Sequence, residues 1–555
     1  MALESLLHGW PGLFGAYAAV QAPMVAGLLR ARAPMVRALG SPLIAAPLTV
    51  LTGAGIAGAE ALLHVGATLA STQLALGTAV SAAVGYAAGR ALGRTVRHAP
   101  VHQRGALVVE EAPAPVRPRR TEGRRAVHEQ VSIAGIRLSA EDEVKHFKFI
   151  GTTGTGKSTA IHELLETALR RGDRAVIADP DGGYLRRFYR RERGDVILNP
   201  FEPASARWDV FGEINDDYDV EQLARSLIPD HEGSDRSWRG YARTFFSAVT
   251  AQAHAAGSRD VRELYRLLVV AGTPELRTLV GGTPAQPFLE EHNGRMFDSI
   301  RSVTASAVGA LDYVSRQTST PLSVRQWVAD QDRHGVLFIP YRAGQVAALR
   351  STISAWMRLA IFEALQKEEG DQRLWFVVDE LDALGQIDGL KDALARLRKF
   401  GGRCVLGFQS AAQVSSTYGQ GEANTLVENC GNTLVLRCSG SEHGGTSQFA
   451  SRLIGEREVL RTSVSRSRHA TQMLSSVTRA EHIGIESAVM PAQIEQLPDL
   501  SGYLKIASRP YWQRVRLQPR AAAREEDRQL GRVASLSVPA ASPASAAQGL
   551  DTGLS

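Results

Sequence analysis

The hydrophobic pattern of this chain changes texture several times along its length. Residues 1–89 are almost free of charge and rich in Ala, Gly and Leu. Two apolar runs, 43–63 and 65–88, are each long enough to cross a bilayer, which takes about 20 apolar residues. Only Glu60 and His64 interrupt them, both at the join, so the pattern predicts a transmembrane helical hairpin with a very short turn. A further apolar segment, 10–29, fits a third span or an interfacial helix. Arg30, Arg32 and Arg37 precede the hairpin, and Arg90, Arg94 and Arg97 follow it. Basic residues on both flanks place both ends in the cytoplasm and the turn outside. No basic region precedes 10–29, which speaks against a cleaved signal peptide. A buried, Ala-rich soluble hairpin is the alternative.

From about Ser132 the texture becomes short apolar runs alternating with amphipathic stretches, the pattern of an α/β fold. Strands are predicted over 132–138, 146–150, 174–179, 335–339, 374–378, 403–408 and 433–437. Between about Asp209 and Pro321 the period is helical instead. Met296, Ile300, Val303, Ala307, Leu311 and Val314 recur at spacings of three and four, as do Tyr241, Phe245 and Val249. These are read as core positions of a small all-α domain. The tail 519–555 is rich in Ala, Ser and Pro without aromatic residues and is expected to be disordered.

Charge and cysteine content change this picture little. The 555 residues carry a formal net charge of +6. More telling is the stretch from Arg90 to Arg125, with nine arginines against Glu110, Glu111 and Glu122. It suits nucleic acid or anionic lipid headgroups, and its prolines equally suit a solvated linker. Cys404, Cys430 and Cys438 have no C-x-x-C spacing, so buried thiols are expected rather than a zinc site or disulfides. His443, near Cys438, adds only weak support for a metal.

The most specific chemistry is Gly151-Thr152-Thr153-Gly154-Thr155-Gly156-Lys157-Ser158, followed by Thr159. It matches G-x-x-x-x-G-K-[ST] between a predicted strand and a predicted helix. Its glycines let backbone N–H groups face a phosphate at a helix N-terminus. Lys157 can reach the β- and γ-phosphates, and Ser158 can ligate Mg²⁺. The apolar run 374–378 ends in Asp379-Glu380. Asp379 suits the Mg²⁺ shell, and Glu380 suits orienting the attacking water. No guanine-reading N-K-x-D is present, which points to ATP. Lys157 and Asp379 stand 222 positions apart (379 − 157), and the helical block accounts for the distance as an insertion. A phosphate sensor and a polar strand end both fit Gln409. An arginine finger from a neighbouring subunit and a solvated helix end both fit Arg398, in the cluster Arg396, Arg398, Lys399 and Arg403.

Taken in order, these segments resemble the TraD/TrwB-type coupling proteins of conjugative type IV secretion systems. The likeness covers about 131–516. It rests on Ile133-Ala-Gly135, His146, Arg171-Gly-Asp-Arg174, Asp179-Pro180, Asp195-Val-Ile-Leu-Asn199-Pro200 and Trp208. It continues through Ser323-Val-Arg-Gln-Trp327, Asp379-Glu380, Arg398-Lys399, Gly407-Phe-Gln409-Ser410 and the segment from Met490 to Asp499. The resemblance implies a RecA-like P-loop motor interrupted by an all-α domain, anchored in the bacterial inner membrane, hexameric, and cytoplasmic in its motor part. The implied role is to bring single-stranded DNA with its relaxase to the channel proteins, with largely sequence-independent binding of single- and double-stranded DNA and contact with membrane lipid. By position, Lys157, Ser158, Asp379 and Glu380 match nucleotide and Mg²⁺ residues, Gln409 the phosphate sensor, and Arg398 the finger acting across subunits.

The expected divisions are an anchor (1–90), a basic linker (91–130), two motor segments (131–208 and 322–518) around the all-α insertion (209–321), and the tail. Two features depart from the family pattern: a short turn outside the membrane, and no long acidic C-terminal extension. A protein-only secretion ATPase, a non-catalytic adaptor and an FtsK-type translocase are the rival readings. The acidic pair argues against the adaptor, and the lack of a C-terminal winged-helix segment against the translocase.

Overall fold

The computed structural model describes residues 10–31, 33, 35–63, 70–93, 101–110, 130–230, 235–366, 368, 372–441, 445–467 and 476–519. The expected tail from 520 onward, the short turn at 64–69, His443 and most of the basic linker lie outside the described residues. The chain divides into two compact units, residues 1–101 with 460–483, and residues 102–459 with 484–555.

The first unit holds three long helices, Trp10–Arg30, Pro42–Leu63 and Ala70–Gly93. The windows Leu13–Arg30 and Pro42–Ala59 are long and apolar enough to cross a membrane. Trp10–Arg30 packs most closely not on its sequence neighbour but on Ala70–Gly93, and glycine makes this geometry accessible. A Cβ on Gly85 would stand 2.3 Å from the Val20 carbonyl oxygen, and one on Gly89 2.1 Å from that of Met24. This Gly-x-x-x-Gly spacing lets two helix backbones touch. The apolar segment 10–29, offered by the sequence as a third span or an interfacial helix, thus packs on Ala70–Gly93 of the expected hairpin, whose two helices also touch.

In the second unit, ten strands form one sheet. We number them in chain order as β1 Val108–Val109, β2 Phe147–Ile150, β3 Arg174–Pro180, β4 Val196–Ile197, β5 Val336–Tyr341, β6 Leu374–Val378, β7 Gly402–Phe408, β8 Asn432–Val435, β9 Ser501–Lys505 and β10 Trp512–Arg516. Their order across the sheet is β1-β10-β9-β8-β2-β7-β6-β3-β5-β4. The run from β8 to β4 is parallel throughout. Parallel strands need both faces covered, and strand alternation supplies two apolar faces. Ala175, Ile177, Trp375 and Val377 face the helix Lys157–Arg170 through Ile161 and Leu164. Val176, Ala178, Phe376 and Val378 join the core that continues into the helical block.

Two sequence expectations need correction. Residues 132–138 do not form a strand of the sheet. Ala134 (φ 52°) and Gly135 (φ 74°) turn the chain into a two-residue-per-arm hairpin, Ser132–Ile133 against Ile136–Arg137. Glu163 of the helix Lys157–Arg170 accepts the N–H groups of Ala134 and Gly135, both at 2.8 Å. The basic linker is also not structureless throughout. Its Val108–Val109 pairs with β10, and Val101–Gly105 belongs to a three-stranded sheet with the long hairpin Glu456–Ser467 and Ser476–Ser487.

All described elements from Phe211 to Ser315 are helical. In Gly294–Val308 the buried positions are Phe297, Ile300, Thr304 and Val308, with Met296, Val303 and Ala307 half-buried beside them, so the expected stripe lies at the edge of the buried face. The block leaves and rejoins the sheet side by side, because Arg207–Trp208 pairs with Pro321–Leu322. Glu213 fastens this root. It is buried and accepts from Trp208 Nε1 (2.8 Å), Ser323 Oγ (3.0 Å), Val324 N (2.7 Å) and Arg325 N (3.0 Å). Glu213→Ala leaves four buried donors unpaired and is expected to cost roughly 3–5 kcal/mol. Glu221→Ala, at an exposed i,i+4 ion pair, should cost under about 0.5 kcal/mol. Denaturant midpoints of the two variants check this, and equal losses would refute the assignment.

Candidate active site

The loop 151–156 leaves the end of β2 and closes on the helix Lys157–Arg170. Gly154 (φ 77°) and Gly156 (φ 120°) hold left-handed backbone that a side chain would strain. No side chain caps this helix, so its first N–H groups point into the hollow of the loop. Lys157 is buried and donates from Nζ to the carbonyls of Gly151 (2.7 Å) and Thr152 (3.3 Å). Burial pulls its pKa down, while the charges of Asp379 and Glu380 pull it up. Thr155 Oγ1 donates to Thr152 O (2.7 Å) and Thr152 Oγ1 to Arg437 O (3.2 Å), which stiffens the loop. Thr159 follows in the first turn of the helix and lines a small cavity with His162 and Arg187.

The carboxylates arrive from two neighbouring strands. β6 runs alongside β3 in register, Val378 beside Ala178, so Asp379 and Asp179 leave the sheet together. Between β6 and β2 lies β7, the added strand that a sensor role for Gln409 requires. It packs so closely that a Cβ on Gly407 would stand 2.2 Å from the Asp379 carbonyl oxygen. Ser158 Oγ then donates to Asp379 Oδ2 at 2.6 Å. Gln409 Nε2 donates to Glu380 Oε1 at 2.6 Å, and Thr153 Oγ1 donates to Gln409 Oε1 at 2.7 Å. Loop, acidic pair and Gln409 are therefore one hydrogen-bonded cluster. Burial, followed by the charges of Asp382 and Asp379, raises the pKa of Glu380 and favours it as a proton acceptor.

The donor set fits a nucleotide with Mg²⁺. Asp379 Oδ1 is buried and takes no hydrogen bond, and it lies beside the Ser158 hydroxyl on a hard-oxygen site of the kind Mg²⁺ prefers. Two residues of the cluster were missed in the sequence. Tyr184 donates from its hydroxyl to Asp379 Oδ2 at 2.8 Å, and Asp179 accepts the N–H groups of Tyr184 (3.0 Å) and Leu185 (2.7 Å). Asp179-Pro180 stood among the segments of the family resemblance without a site role, and for Tyr184 the turn residues Asp181-Gly182-Gly183 beyond β3 are the one local signal.

Arg398 is not brought to this cluster. It is exposed on a short turn just before β7. Gly402 pairs with Leu374 at one end of the sheet, while Phe408 pairs with Ile150 at the P-loop end. The intervening seven residues span about 20 Å at ~3.3 Å per residue. Arg398 cannot serve its own chain's loop. Near it, His146 is buried, bonds Leu394 O through Nε2 (2.9 Å) and accepts Cys404 N–H at Nδ1 (3.2 Å). Beside it, Arg171 forks onto Glu143 (2.6 Å) and Asp173 (2.6 Å), and Arg403 also reaches Glu143 (3.0 Å).

A family model for the DNA-binding domain of type IV secretion-system coupling proteins matches residues 130–518. The chain belongs to this family. It is 31% identical over 387 residues to the coupling protein TraD of Escherichia coli (strain K12), covering 69% of this chain and 53% of TraD. To a conjugal transfer protein TraG of Escherichia coli it is 23% identical, covering 60% and 59%. The chain thus spans a little over half the length of the curated relatives it matches. Among solved structures, the bacterial conjugative coupling protein TrwBdeltaN70 is 34% identical with a TM-score of 0.64, over 71% of this chain and 90% of that one. TrwB in complex with ADP and Mg²⁺ is 33% identical with a TM-score of 0.63, over 72% and 90%.

The strand leading to the loop carries a pH dependence. Burial, with Arg403 and Arg398 nearby, pushes the His146 pKa down to about 4 from 6.5. The folded state keeps this ring neutral while the unfolded chain protonates it, so its contribution is whole above about pH 6.5 and is lost as pH falls towards 4. His162, held down to about 4 by burial, acts with the same sign. The unfolding midpoint should therefore drop between pH 6.5 and 4, with each histidine accounting for on the order of 1–3 kcal/mol. His146→Asn, chosen because φ is 55° there, should lower stability at pH 7.5 and flatten the acid limb. An unchanged acid limb would count against this account.

Proposed function

We propose that this chain is a membrane-anchored ATPase that couples nucleotide hydrolysis to delivery of DNA into a type IV secretion channel. The observation that carries the reading is the cluster in which Ser158 meets Asp379 and Thr153 meets Glu380 through Gln409. It joins a phosphate loop, a metal-ligating carboxylate and a water-polarising carboxylate. TrwB, similar over most of this chain, has been solved with ADP and Mg²⁺ and with an ATP analogue, and the curated relatives are coupling and conjugal transfer proteins.

In this reading the N–H groups of 152–156 and the start of the helix cradle the phosphates, and Lys157 turns its ammonium to them. Ser158 and Asp379 would hold Mg²⁺, which would supply positive charge to the phosphates. Glu380 takes the proton of the attacking water. Gln409 links Glu380 to Thr153, so the state of the loop is felt by the base. Arg398, about 20 Å from its own loop by strand length, serves the loop of a neighbouring subunit. That requirement supports a ring of copies, a homohexamer in this family reading. In this reading the ring is anchored in the inner membrane by the apolar helices, with its motor on the cytoplasmic side. The cargo is single-stranded DNA with its relaxase, handed to channel proteins, and the basic stretch 90–125 supplies DNA or lipid contacts.

Full-length protein in detergent should hydrolyse ATP, with single-stranded DNA raising the rate. Lys157→Ala and Glu380→Gln should each lower kcat by at least about 100-fold, a loss of ~2.7 kcal/mol or more of transition-state stabilisation. Arg398→Ala should match that loss yet recover activity when mixed with Lys157→Ala subunits, since each supplies what the other lacks. Activity indifferent to DNA would favour a protein-only secretion motor, and no recovery on mixing would remove Arg398 from the site.

A further inference from the structure

We propose that Tyr184 is a positioning residue that aims Asp379 at the metal and so sets the affinity of the site for Mg²⁺. This rests on the nucleotide-hydrolysis reading above. The argument begins with two aspartates that leave adjacent strands side by side, Asp179 and Asp379. Both are buried, at 0% and 6% exposure, so each needs donors, and the donors they receive decide which can bind a cation.

One turn supplies both. Asp181 (φ 56°) and Gly182 (φ 68°) reverse the chain directly after β3 and start the short helix Gly183–Phe188. The backbone N–H groups of Tyr184 and Leu185 then occupy Asp179, one on each oxygen. Asp179 is consumed by its own turn. Tyr184 sends its hydroxyl the other way, to Asp379 Oδ2, and its ring is buried edge-on against His162 at 4.8 Å. Asp379 is thus gripped on Oδ2 alone, and Oδ1 stays buried and free of any hydrogen bond.

Ser158 grips the same Oδ2, but Ser158 is itself a metal-ligand candidate, so its hydroxyl cannot also be relied on to hold Asp379. Tyr184 is not a ligand candidate and can hold it in either state. A carboxylate fixed by one oxygen presents the other at a set angle, which lowers the ordering cost of metal binding.

The test uses full-length protein, wild type and Tyr184→Phe, with a fluorescent ADP analogue and Mg²⁺ titrated from EDTA. The ring and its contact with His162 remain in the variant, and only the hydroxyl is lost. The Mg²⁺ concentration at half-saturation should rise about tenfold, within the 10–100-fold range for loss of a partner that orients a metal ligand. ADP affinity in EDTA should not change, and the melting temperature without Mg²⁺ should fall only slightly, because Asp379 Oδ2 keeps the Ser158 hydroxyl. A Mg²⁺ midpoint within twofold of wild type overturns the proposal. So does an equal loss of ADP affinity in EDTA, which marks a purely structural role. A wild type that binds no ADP overturns the functional reading and this inference with it, whereas an unshifted midpoint in Tyr184→Phe beside a wild type that binds ADP with Mg²⁺ overturns this inference alone.

Discussion

The hydrogen bond from Ser158 to Asp379 joins residues 221 positions apart, and most of the second unit serves to bring them together. For the two side chains to meet, the strand before the loop and the strand before the acidic pair must run parallel and end level. They are not neighbours, so β7 has to fit between them. It does so at the level of the acidic pair only because Gly407 has no side chain to strike the Asp379 carbonyl. Apolar burial on both faces of the sheet fixes the register, since a slip by one residue would send Val377 and Val378 to the wrong faces. The polar site is thus located by nonpolar packing.

Much of this was legible in the sequence because the signals are local. The loop 151–158 carries its chemistry in consecutive residues. The run 374–378 is apolar on both faces, as an inner parallel strand must be, and its acidic end is marked by that contrast. The pattern failed where the answer depends on contacts far along the chain. Residues 132–138 alternate like a strand, but Ala134-Gly135 turns there because Glu163 waits to receive its N–H groups. Trp10–Arg30 pairs with Ala70–Gly93 through glycines that in sequence merely lower the hydropathy. Tyr184 could not be placed beside Asp379 by spacing, because its position depends on β3 and β6 being neighbours.

The ends of the sheet carry different kinds of polar structure. At the carboxyl ends, groups keep unspent capacity, as in Asp379 Oδ1. At the amino ends a buried ion network closes on itself. Glu143, Arg171, Asp173 and Arg403 close on one another, and Trp375 Nε1 adds a bond to Asp173 at 2.7 Å. Buried ion networks of this kind contribute modestly to net stability but are expensive to break. That makes the amino end a rigid base against which the carboxyl end can change state. Arg398 stands at the rigid end, as a group should if its role is to be presented to another subunit rather than to follow its own chain's nucleotide.

The segment after Glu380 shows how a change at the site can leave it. Residues 381–389 lie under the long helix Ala343–Ala364. Ser354 Oγ donates to Leu384 O at 2.5 Å. One turn on, buried Arg358 donates to Asp388 O (3.1 Å) and, from the same guanidinium, to Gln222 O (3.2 Å), Gln222 Oε1 (3.0 Å) and Ser226 Oγ (3.1 Å) of the helical block. A guanidinium is a rigid plane with donors in fixed directions. If the acidic loop shifts, either these bonds break inside a buried site, at a cost of several kcal/mol, or Gln222 and Ser226 move with it. The second course is cheaper because it preserves every hydrogen bond. The helical block is therefore tied to the segment after the acidic pair by geometry, and the chain between Lys157 and Asp379, 222 positions apart (379 − 157), separates the halves of the site while including an element bonded to that segment.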